Sequence, residues 1–294
     1  MKQRLAKRSG WCLAVGIAIV SLLALWDLRA QYGGGRGWRR GYEIRDPEMI
    51  RENDMMEKAL NPAFKEDVFT FARLRFNADR GWRFGGGRLW DDDAPEADLN
   101  TIFRLFETTS LKVRPGLHFI DITTNDLVNY PFVYVAAAAR MQLTDEEAGC
   151  LRRYLLNGGF IMADDFWGDD QWLRFREQLK MIFPDREPVE LALDHPVFRT
   201  VFKFKKQPQI PSVGAFMRYG VSYDPGWPYL ERNHDPHYYA VYDDKKRMIM
   251  LICYNNHYGD GWEHEGDDET YFDTFSEPMA YPMLINVLVY AMSH

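Results

Sequence analysis

The amino-acid sequence predicts a three-layer α/β protein, with a mostly parallel sheet flanked by helices. Short apolar runs typical of strands alternate with segments in which apolar residues recur at helical spacing. Thr144 and Glu147 form the capping box of one helix. Gly158 and Gly159 end that helix, and residues 160–163 follow as a buried strand. Strands that alternate with helices in this way pair in parallel, so we expect helices on both faces of the sheet.

The remaining elements are read from the same two patterns. Alternation at residues 68–76 predicts a strand with Arg73 and Arg75 on one face. A helix follows Asp98, which we expect to help cap it. The other predicted elements are strands at 118–122 and 132–136, a helix at 172–182, an added hairpin of 238–242 and 248–254, and a final helix at 278–292.

The N-terminus predicts export from the cytoplasm. Four basic residues within the first eight precede an uncharged apolar run at residues 11–26, which is the pattern of a secretory signal. We expect residues 1–30 to be a signal peptide or an N-terminal membrane anchor. Cleavage before Gln31 is favoured because the run is shorter than the ~20 residues that comfortably span a bilayer. A buried core helix is disfavoured by the basic flank. The protein is then periplasmic or otherwise extracytoplasmic, and touches the membrane only through an uncleaved N-terminus.

Composition divides the rest of the chain. Glycine and like charge at residues 31–63 predict a flexible spacer, and residues 64–294 form the folded domain. Residues 1–46 carry nine Lys and Arg against three acidic residues, which leaves a net charge of −13 for the remainder. So acidic a domain repels phosphate backbones, and we therefore exclude nucleic acid as a partner.

The sequence predicts neither a metal site nor a cofactor. Beyond the leader, Cys150 and Cys253 permit one disulfide but do not require it, and no zinc-binding cysteine spacing occurs. Residues 85–87 are glycines, but the strand and helix of a phosphate-binding loop do not flank them. Residues 259–268 lack the alternation of a calcium loop and are interpreted as a solvated acidic loop, and His264 alone does not define a zinc site.

Asp164 and Asp165 are the leading candidates for catalysis or ligand binding. They follow the buried strand at 160–163, and the carboxyl ends of parallel strands form the crevice where such sheets bind ligands. Side chains alternate along a strand, so we expect only one of the two to face the crevice. The alternative is structural, with one carboxylate capping the helix that begins near Gly168.

His195 is a further catalytic candidate, with Asp194 as an orienting carboxylate. Adjacent residues seldom form such a pair, and the alternative is that Asp194 caps a short helix beginning at Pro196. Arg73 and Arg75 are candidates for ligand binding. They either bind an anionic group or, as we expect, neutralise Asp164 or Asp165, because an unpaired buried carboxylate is costly.

Aromatic side chains in the predicted loops suit sugar rings. The tryptophans beside glycine or aspartate are Trp82, Trp90, Trp167, Trp227 and Trp262. Trp167 and Trp262 are our candidates for ligand binding, and the alternative is that such rings pin long loops to the body of the domain.

Several motifs carry a resemblance to a known family. They are Tyr130-Pro-Phe-Val-Tyr, Leu155-Leu-Asn-Gly-Gly-Phe, Asp164-Asp-Phe-Trp-Gly168, Leu193-Asp-His-Pro-Val-Phe198, Cys253-Tyr-Asn-Asn, Gly259-Asp-Gly-Trp-Glu263 and Ala280-Tyr-Pro-Met. Together they resemble the bacterial domain-of-unknown-function family 4159 over residues 69–294. That resemblance implies fold and location more than chemistry.

A more distant similarity is to the flavodoxin-like architecture of the class I glutamine amidotransferase-like fold and its trehalose-utilisation-like branch. In the amidotransferases a cysteine nucleophile stands at the turn after the buried strand. Here Ala163 and Asp164 occupy that turn, and no cysteine is present. The resemblance therefore does not imply glutaminase activity.

Three functions fit these observations. The first is a non-catalytic module that binds a small polar or carbohydrate ligand, or a partner protein, in the bacterial envelope. The second is a carbohydrate-acting hydrolase that uses Asp164 or Asp165. The third is a structural component of an envelope complex. The missing cysteine favours the binding module, and the carboxylates beside tryptophans favour the hydrolase.

Overall fold

The computed structural model describes residues 44, 46–64, 67–78, 90–223 and 234–294. Its strands are β1 (Ala72–Arg75), β2 (Phe119–Asp121), β3 (Phe132–Val135), β4 (Phe160–Ala163), β5 (Val189–Glu190), β6 (His237–Tyr242) and β7 (Met248–Tyr254). They form one seven-stranded sheet in the order β2-β1-β3-β4-β7-β6-β5. Strands β1, β2, β3, β4 and β7 pair in parallel, and β6 is antiparallel to both of its neighbours. The predicted mostly parallel α/β fold and its added hairpin are confirmed.

The helices connect and cover these strands. The α-helices are α1 (Pro47–Ala59), α2 (Glu96–Thr108), α3 (Asp145–Leu156), α4 (Gly168–Ile182), α5 (Val213–Tyr219), α6 (Tyr258–Glu263), α7 (Glu269–Tyr271) and α8 (Tyr281–Ser293). Short 3-10 helices lie at Pro62–Phe64, Asn125–Asn129, Ala138–Arg140 and Pro196–Phe198, and a π-helix at Phe272–Ala280 leads into α8.

Strand alternation divides the core into two layers. Ala72, Leu74 and Val133 point to one face, where helices α3 and α4 cover them. Phe132 and Tyr134 point to the other face, which helices α2, α6 and α8 cover. Both layers are continuous apolar packing, as expected for a sheet buried on two sides.

Local sequence explains the best-predicted helix. Thr144 Oγ1 accepts a hydrogen bond from the Glu147 backbone N–H, and the Glu147 carboxylate accepts one from the Thr144 N–H, which completes the capping box of α3. Gly158 then adopts a φ of 112°, a conformation that glycine accommodates without steric cost, and β4 begins two residues later.

The N-terminal predictions have different outcomes. Residues 1–30 lie outside the described residues, so the signal peptide or anchor stays a prediction. Part of the predicted spacer, residues 31–63, is helical: α1 is N-capped by Asp46, begins with Pro47 and buries Met56. The spacer prediction is wrong there because many charged side chains conceal the helix-start signal and the apolar residues Met49 and Met56, which pack against the core. Among the residues that the structure describes, no helix combines the length and apolar character that a membrane span requires.

The C-terminal helix also differs from its prediction. The α-helical hydrogen-bonding pattern begins only at Tyr281, because the preceding turns at Phe272–Ala280 are π-helical and contain Pro278. Proline has no backbone N–H, so it removes one donor from the helical ladder at that point. Cys150 and Cys253 are free thiols, on α3 and β7 respectively.

Candidate functional site

The candidate site begins where β4 ends. Asp164 and Asp165 directly follow Ala163, the last residue of that strand. Asp165 has a φ of 57°, in the left-handed region, so the regular alternation of strand side chains stops there. Asp165 Oδ1 lies 3.6 Å from His257 Nε2, whereas Asp164 is fully buried, and the expectation that only one carboxylate faces the crevice stays a prediction.

Asp164 is fully buried and held by donors from two neighbouring elements. Its Oδ2 accepts hydrogen bonds from the Tyr134 hydroxyl at 2.9 Å, the Tyr258 backbone N–H at 2.7 Å and the Gly259 backbone N–H at 3.3 Å. Its other oxygen, Oδ1, is buried and has no hydrogen-bond partner among the described residues. One half of this carboxylate is therefore fixed by the fold, and the other half is unsatisfied.

His257 lies at the centre of the site, three residues after the end of β7. Its Nε2 is 3.2 Å from Asp93 Oδ2, 3.5 Å from Asp260 Oδ1 and 3.6 Å from Asp165 Oδ1. We call His257, Asp93, Asp164, Asp165 and Asp260 the His257 cluster. The cluster places the carboxyl groups of Asp93, Asp165 and Asp260 within 3.6 Å of one imidazole nitrogen at the carboxyl edge of the parallel sheet.

Close backbone approach brings Asp93 into the cluster. Asp93 precedes α2 with a φ of 63°, and Gly259 in the first turn of α6 faces it. A Cβ at position 259 would lie 1.7 Å from Asp93 Oδ2 and 3.2 Å from the Tyr134 hydroxyl. Only glycine leaves room for Asp93 there, and the Tyr134 hydroxyl that holds Asp164 borders the same space.

Asp260 is oriented by the adjacent chain. Its Oδ2 accepts a hydrogen bond from the backbone N–H of Val213, at the start of α5, at a distance of 2.6 Å. This contact occupies one carboxylate oxygen and leaves Oδ1 facing His257 and, at 3.9 Å, His264.

The electrostatics of the cluster reflect an excess of negative charge. Burial raises the pKa of Asp164 to about 7, and among its charged neighbours His257 has the largest opposing effect. Burial likewise raises the pKa of Asp260. Burial acts to lower the pKa of His257, but Asp165, Asp260 and Asp93 outweigh it and raise that pKa well above its ordinary value. Three buried carboxyl groups, those of Asp93, Asp164 and Asp260, outnumber the one imidazole, which favours the uptake of protons or of another cation.

Two groups of side chains in the described part of the chain have the spacing of metal ligands. Asp93, His257 and Asp260 each offer one ligand atom within 4.8 Å of the others. Asp260, Glu263 and His264 form a second group around the same aspartate. Such a set of atoms can bind a cation, or can exchange a proton with a ligand through the imidazole.

The predicted arginine candidates do not neutralise Asp164 or Asp165, and that expectation is wrong. Arg73 is fully buried and donates to Asp98, with Nε 3.0 Å from Oδ2 and 3.2 Å from Oδ1. Arg75 pairs with Asp121 at the end of the adjacent strand β2. Asp98 thus serves as the partner of Arg73 and not as the expected helix cap.

The capping predictions for Asp164 and Asp194 are also wrong. The residue before α4 is Trp167, and the Gly168 N–H donates to Asn255 Oδ1 rather than to either aspartate. The short helix at Pro196–Phe198 is capped by His195 itself, whose Nδ1 accepts from the Val197 N–H.

His195 lies at the opposite edge of the sheet from the His257 cluster. Its Nε2 is 3.3 Å from the hydroxyl of Tyr242, the last residue of the antiparallel strand β6. Tyr242 pairs with Met248, the first residue of β7, whereas His257 follows the last residue of β7. His195 therefore does not join the site.

The tryptophan candidates are buried. Trp262 is fully buried, and its ring packs against Tyr134 and Tyr258. Trp167 is 6% exposed, and Trp90 packs against Phe119 on the other face of the sheet. These rings leave no open face for stacking a sugar, so Trp167 and Trp262 do not fill the ligand-binding role that we expected. Trp82 and Trp227 lie outside the described residues, as do the glycines at 85–87.

Sequence analysis missed Asp93, His257 and Asp260. The strand-end rule that selected Asp164 also applies to β7, and it would have pointed to the residues after Tyr254. Residues 258–263 form the buried helix α6, so the interpretation of this stretch as part of a solvated acidic loop is wrong. Its glycines obscured the helix, although Gly259 and Gly261 are needed where α6 packs closely on its neighbours.

The fold and the site together define an α/β protein with a buried carboxylate and histidine cluster at the carboxyl edge of its parallel sheet. The chain matches the family model described as Domain of unknown function (DUF4159) over residues 70–292, and it belongs to that family. The resemblance recognised from the sequence motifs is thereby confirmed. A comparison with curated proteins found no match.

Proposed function

We propose that this protein is a ligand-binding α/β module that binds a small cationic or polar ligand at the His257 cluster. The observation that carries the proposal is the buried Asp164, whose Oδ1 has no hydrogen-bond partner among the described residues. A buried carboxylate oxygen costs free energy unless it is satisfied, and a bound cationic or polar group would satisfy it.

The position of the cluster supports the same function. Ligands of open α/β sheets bind outside the carboxyl ends of the strands, and Asp164 and His257 follow the neighbouring parallel strands β4 and β7. The side chains of His257 and Asp165 are 12% and 14% exposed, so a small ligand can reach the cluster from solvent. A sugar is a less suitable ligand, because the tryptophan candidates that the structure describes are buried and cannot stack on its ring.

A hydrolase is the second candidate function. His257 Nε2 lies 3.2 Å from Asp93 Oδ2, which is the geometry of an imidazole oriented by a carboxylate for proton transfer. In such an enzyme His257 would carry the proton, with Asp164 or Asp165 facing the substrate. The third function predicted from the sequence, a structural role in an envelope complex, stays a prediction.

The N-terminal sequence supports a place for this function outside the cytoplasm. The basic residues and apolar run at 1–30 have the pattern of an export signal. N-terminal sequencing of the exported protein tests this, and we expect the mature chain to start at Gln31. An intact Met1 would exclude cleavage.

A thermal-shift screen of the full chain with small amines, amino acids and sugars tests the binding function. A ligand that binds the folded state raises the melting temperature. We expect Asp164→Asn and Asp165→Asn to abolish the shift, because each removes one carboxylate charge from the cluster. Asp121→Asn is the matched control, since Asp121 is an exposed aspartate at the end of β2. Ligand shifts that persist in both cluster variants, with stability lowered by about 1 kcal/mol or more, would make the pair structural and exclude the proposal.

A further inference from the structure

A short loop after β5 differs in charge from the rest of the domain. Residues 199–206 contain four cationic side chains and no acidic one, whereas the chain beyond residue 46 has a net charge of −13. All four cations are exposed, and none forms an ion pair with any of the described residues. They are Arg199, Lys203, Lys205 and Lys206. We call residues 199–206 the basic loop.

Two large apolar side chains of the basic loop face solvent. Val201 is 53% exposed and Phe202 is 43% exposed. Phe204, in contrast, packs against the core, and its backbone N–H donates to the Phe198 carbonyl at 2.9 Å. The loop therefore directs one phenylalanine inward and presents the other, next to Val201, among the cations.

One buried side chain of α8 fixes the backbone at the exposed pair. Asn286 is fully buried, and its Oδ1 accepts hydrogen bonds from the Val201 N–H at 2.9 Å and the Phe202 N–H at 2.8 Å. Its Nδ2 donates to the Phe202 carbonyl at 2.7 Å. The outward presentation of these two residues is thus part of the fold. Helix α8 has no charged side chain that could neutralise the loop.

We propose that the basic loop binds the surface of an anionic lipid bilayer. Val201 and Phe202 enter the boundary between the headgroups and the acyl chains, and the four cationic side chains contact the lipid phosphates. Long basic side chains suit this position, because their apolar stems follow the apolar surface while their charges stay at the headgroups. The proposal goes beyond ligand binding at the His257 cluster. It also revises the expectation that the protein touches the membrane only through an uncleaved N-terminus.

The exposed apolar pair favours a bilayer over other anionic partners. A free phosphate offers no apolar phase for Val201 and Phe202. A nucleic acid offers many phosphates, but the acidic domain around the loop would repel its backbone. A bilayer of anionic lipids supplies negative charge and an apolar phase at one surface, which matches both features of the loop.

The test is lysine footprinting of the full chain on lipid vesicles. Lysines are acetylated with and without vesicles and mapped by mass spectrometry. The vesicles contain phosphatidylcholine alone, or equal parts of phosphatidylcholine and phosphatidylglycerol. We expect only the anionic vesicles to protect Lys203, Lys205 and Lys206. Lys112 is the internal control, because it is exposed and its carbonyl accepts from the Phe69 N–H, just before β1. Unprotected loop lysines on anionic vesicles, or equal protection of Lys112, would overturn the proposal.

The charge of the loop is tested with a double variant. Lys203→Gln together with Lys205→Gln leaves Lys206 as the reporter, so binding through the N-terminal segment does not mask the result. We expect the lipid concentration that half-protects Lys206 to rise at least about tenfold, because each basic residue near an anionic surface contributes to binding. Lys58→Gln together with Lys112→Gln is the matched control, since both lysines are exposed and outside the loop. A rise of the same size in the control would overturn the proposal.

The apolar contact is tested with Phe202→Ser. We expect the lipid concentration that half-protects Lys206 to rise at least about fivefold, because the variant removes apolar area that the bilayer buries. Leu173→Ser is the matched control, since Leu173 is 56% exposed on α4, which covers the opposite face of the sheet from α8. Unchanged protection in Phe202→Ser would overturn insertion of the loop.

Two soluble anions distinguish the bilayer from other partners. Glycerol phosphate carries a headgroup phosphate without an apolar phase, and polyglutamate has the charge of an acidic protein surface. We expect neither to protect the loop lysines as anionic vesicles do. Protection by either that equals protection by the vesicles would assign the loop to that kind of partner and overturn the proposal. The basic loop and the His257 cluster share no residue, so this proposal and the proposed function fail separately.

Discussion

Two buried ionic groups lie at neighbouring parts of the sheet, and their charge balance differs. Arg73 on β1 faces Asp98 on α2, one cation to one anion, and its Nη1 also donates to the backbone carbonyls of Trp90 and Asp92. The His257 cluster has four carboxyl groups to one imidazole and leaves Asp164 Oδ1 unsatisfied. The Arg73–Asp98 pair has equal positive and negative charge, as an ion pair with a structural role does. In the cluster, the buried Asp164 Oδ1 has no hydrogen-bond partner among the described residues.

The largest expected effect comes from breaking the balanced pair. Asp98→Asn removes the charge opposite Arg73, which is fully buried. We expect a loss of about 3–5 kcal/mol in the free energy of unfolding, because an uncompensated charge stays in the core. Urea unfolding measures the change. A loss below about 1 kcal/mol would contradict the view that this pair is structural.

A smaller loss of stability is expected at Gly259, where the absence of a side chain leaves room for Asp93. Gly259→Ala places a Cβ 1.7 Å from Asp93 Oδ2, so the aspartate must move. We expect a loss of about 1–3 kcal/mol in stability, as for other overpacked sites.

Gly149→Ala is the control for that variant. Gly149 lies inside α3, and its added Cβ would meet only the Arg153 guanidinium at 3.6 Å, an ordinary contact. There we expect a gain of about 0.5–1 kcal/mol from helix propensity. A Gly259→Ala protein as stable as this control would show that the close approach has no role in stability.

The same chemical change should have little effect on stability in the unbalanced cluster. Asp164→Asn keeps a carbonyl oxygen for the Tyr134, Tyr258 and Gly259 donors and removes one buried charge. We expect a loss below about 1 kcal/mol in urea unfolding, because the removed charge lacked a full complement of partners. A loss equal to that of Asp98→Asn would remove the distinction between the two groups.

The smallest effect is expected at the surface. Arg75 and Asp121 form an ion pair whose side chains are 41% and 56% exposed. Arg75→Ala should lower stability by no more than about 1 kcal/mol, because solvent and salt screen exposed pairs. Urea unfolding at low and high salt checks this. A large loss that is insensitive to salt would mean that Arg75 contributes through buried contacts.

The sequence was informative where periodicity and capping determine structure. The capping box at Thr144 and the buried run at 160–163 predicted α3 and β4, because these signals depend on nearby residues alone. Helix α1 was missed because only Met56 is buried on it. The similarity to the glutamine amidotransferase-like fold stays a prediction.

The site was only partly predictable for a different reason. Asp164 and Asp165 follow a strand that is apolar throughout, so the strand-end rule identified them. Asp93 and His257 are 164 positions apart and meet only through the order in which the strands assemble. The prediction that Arg73 neutralises Asp164 or Asp165 was wrong for the same reason. The packing of α2 against the sheet brings Asp98 to Arg73 instead.

The left-handed backbone at Asp165 sets the stability of this turn against the ligand binding that we propose for the site. An aspartate at a φ of 57° holds a conformation that glycine adopts freely, so the present residue carries a local strain. A laboratory selection for thermal tolerance alone would be expected to exchange Asp165 for glycine and lose its carboxylate. A selection that also demands ligand binding would retain the aspartate. Glycine under the first selection and aspartate under the second would show that the Asp165 carboxylate is kept for ligand binding and not for stability.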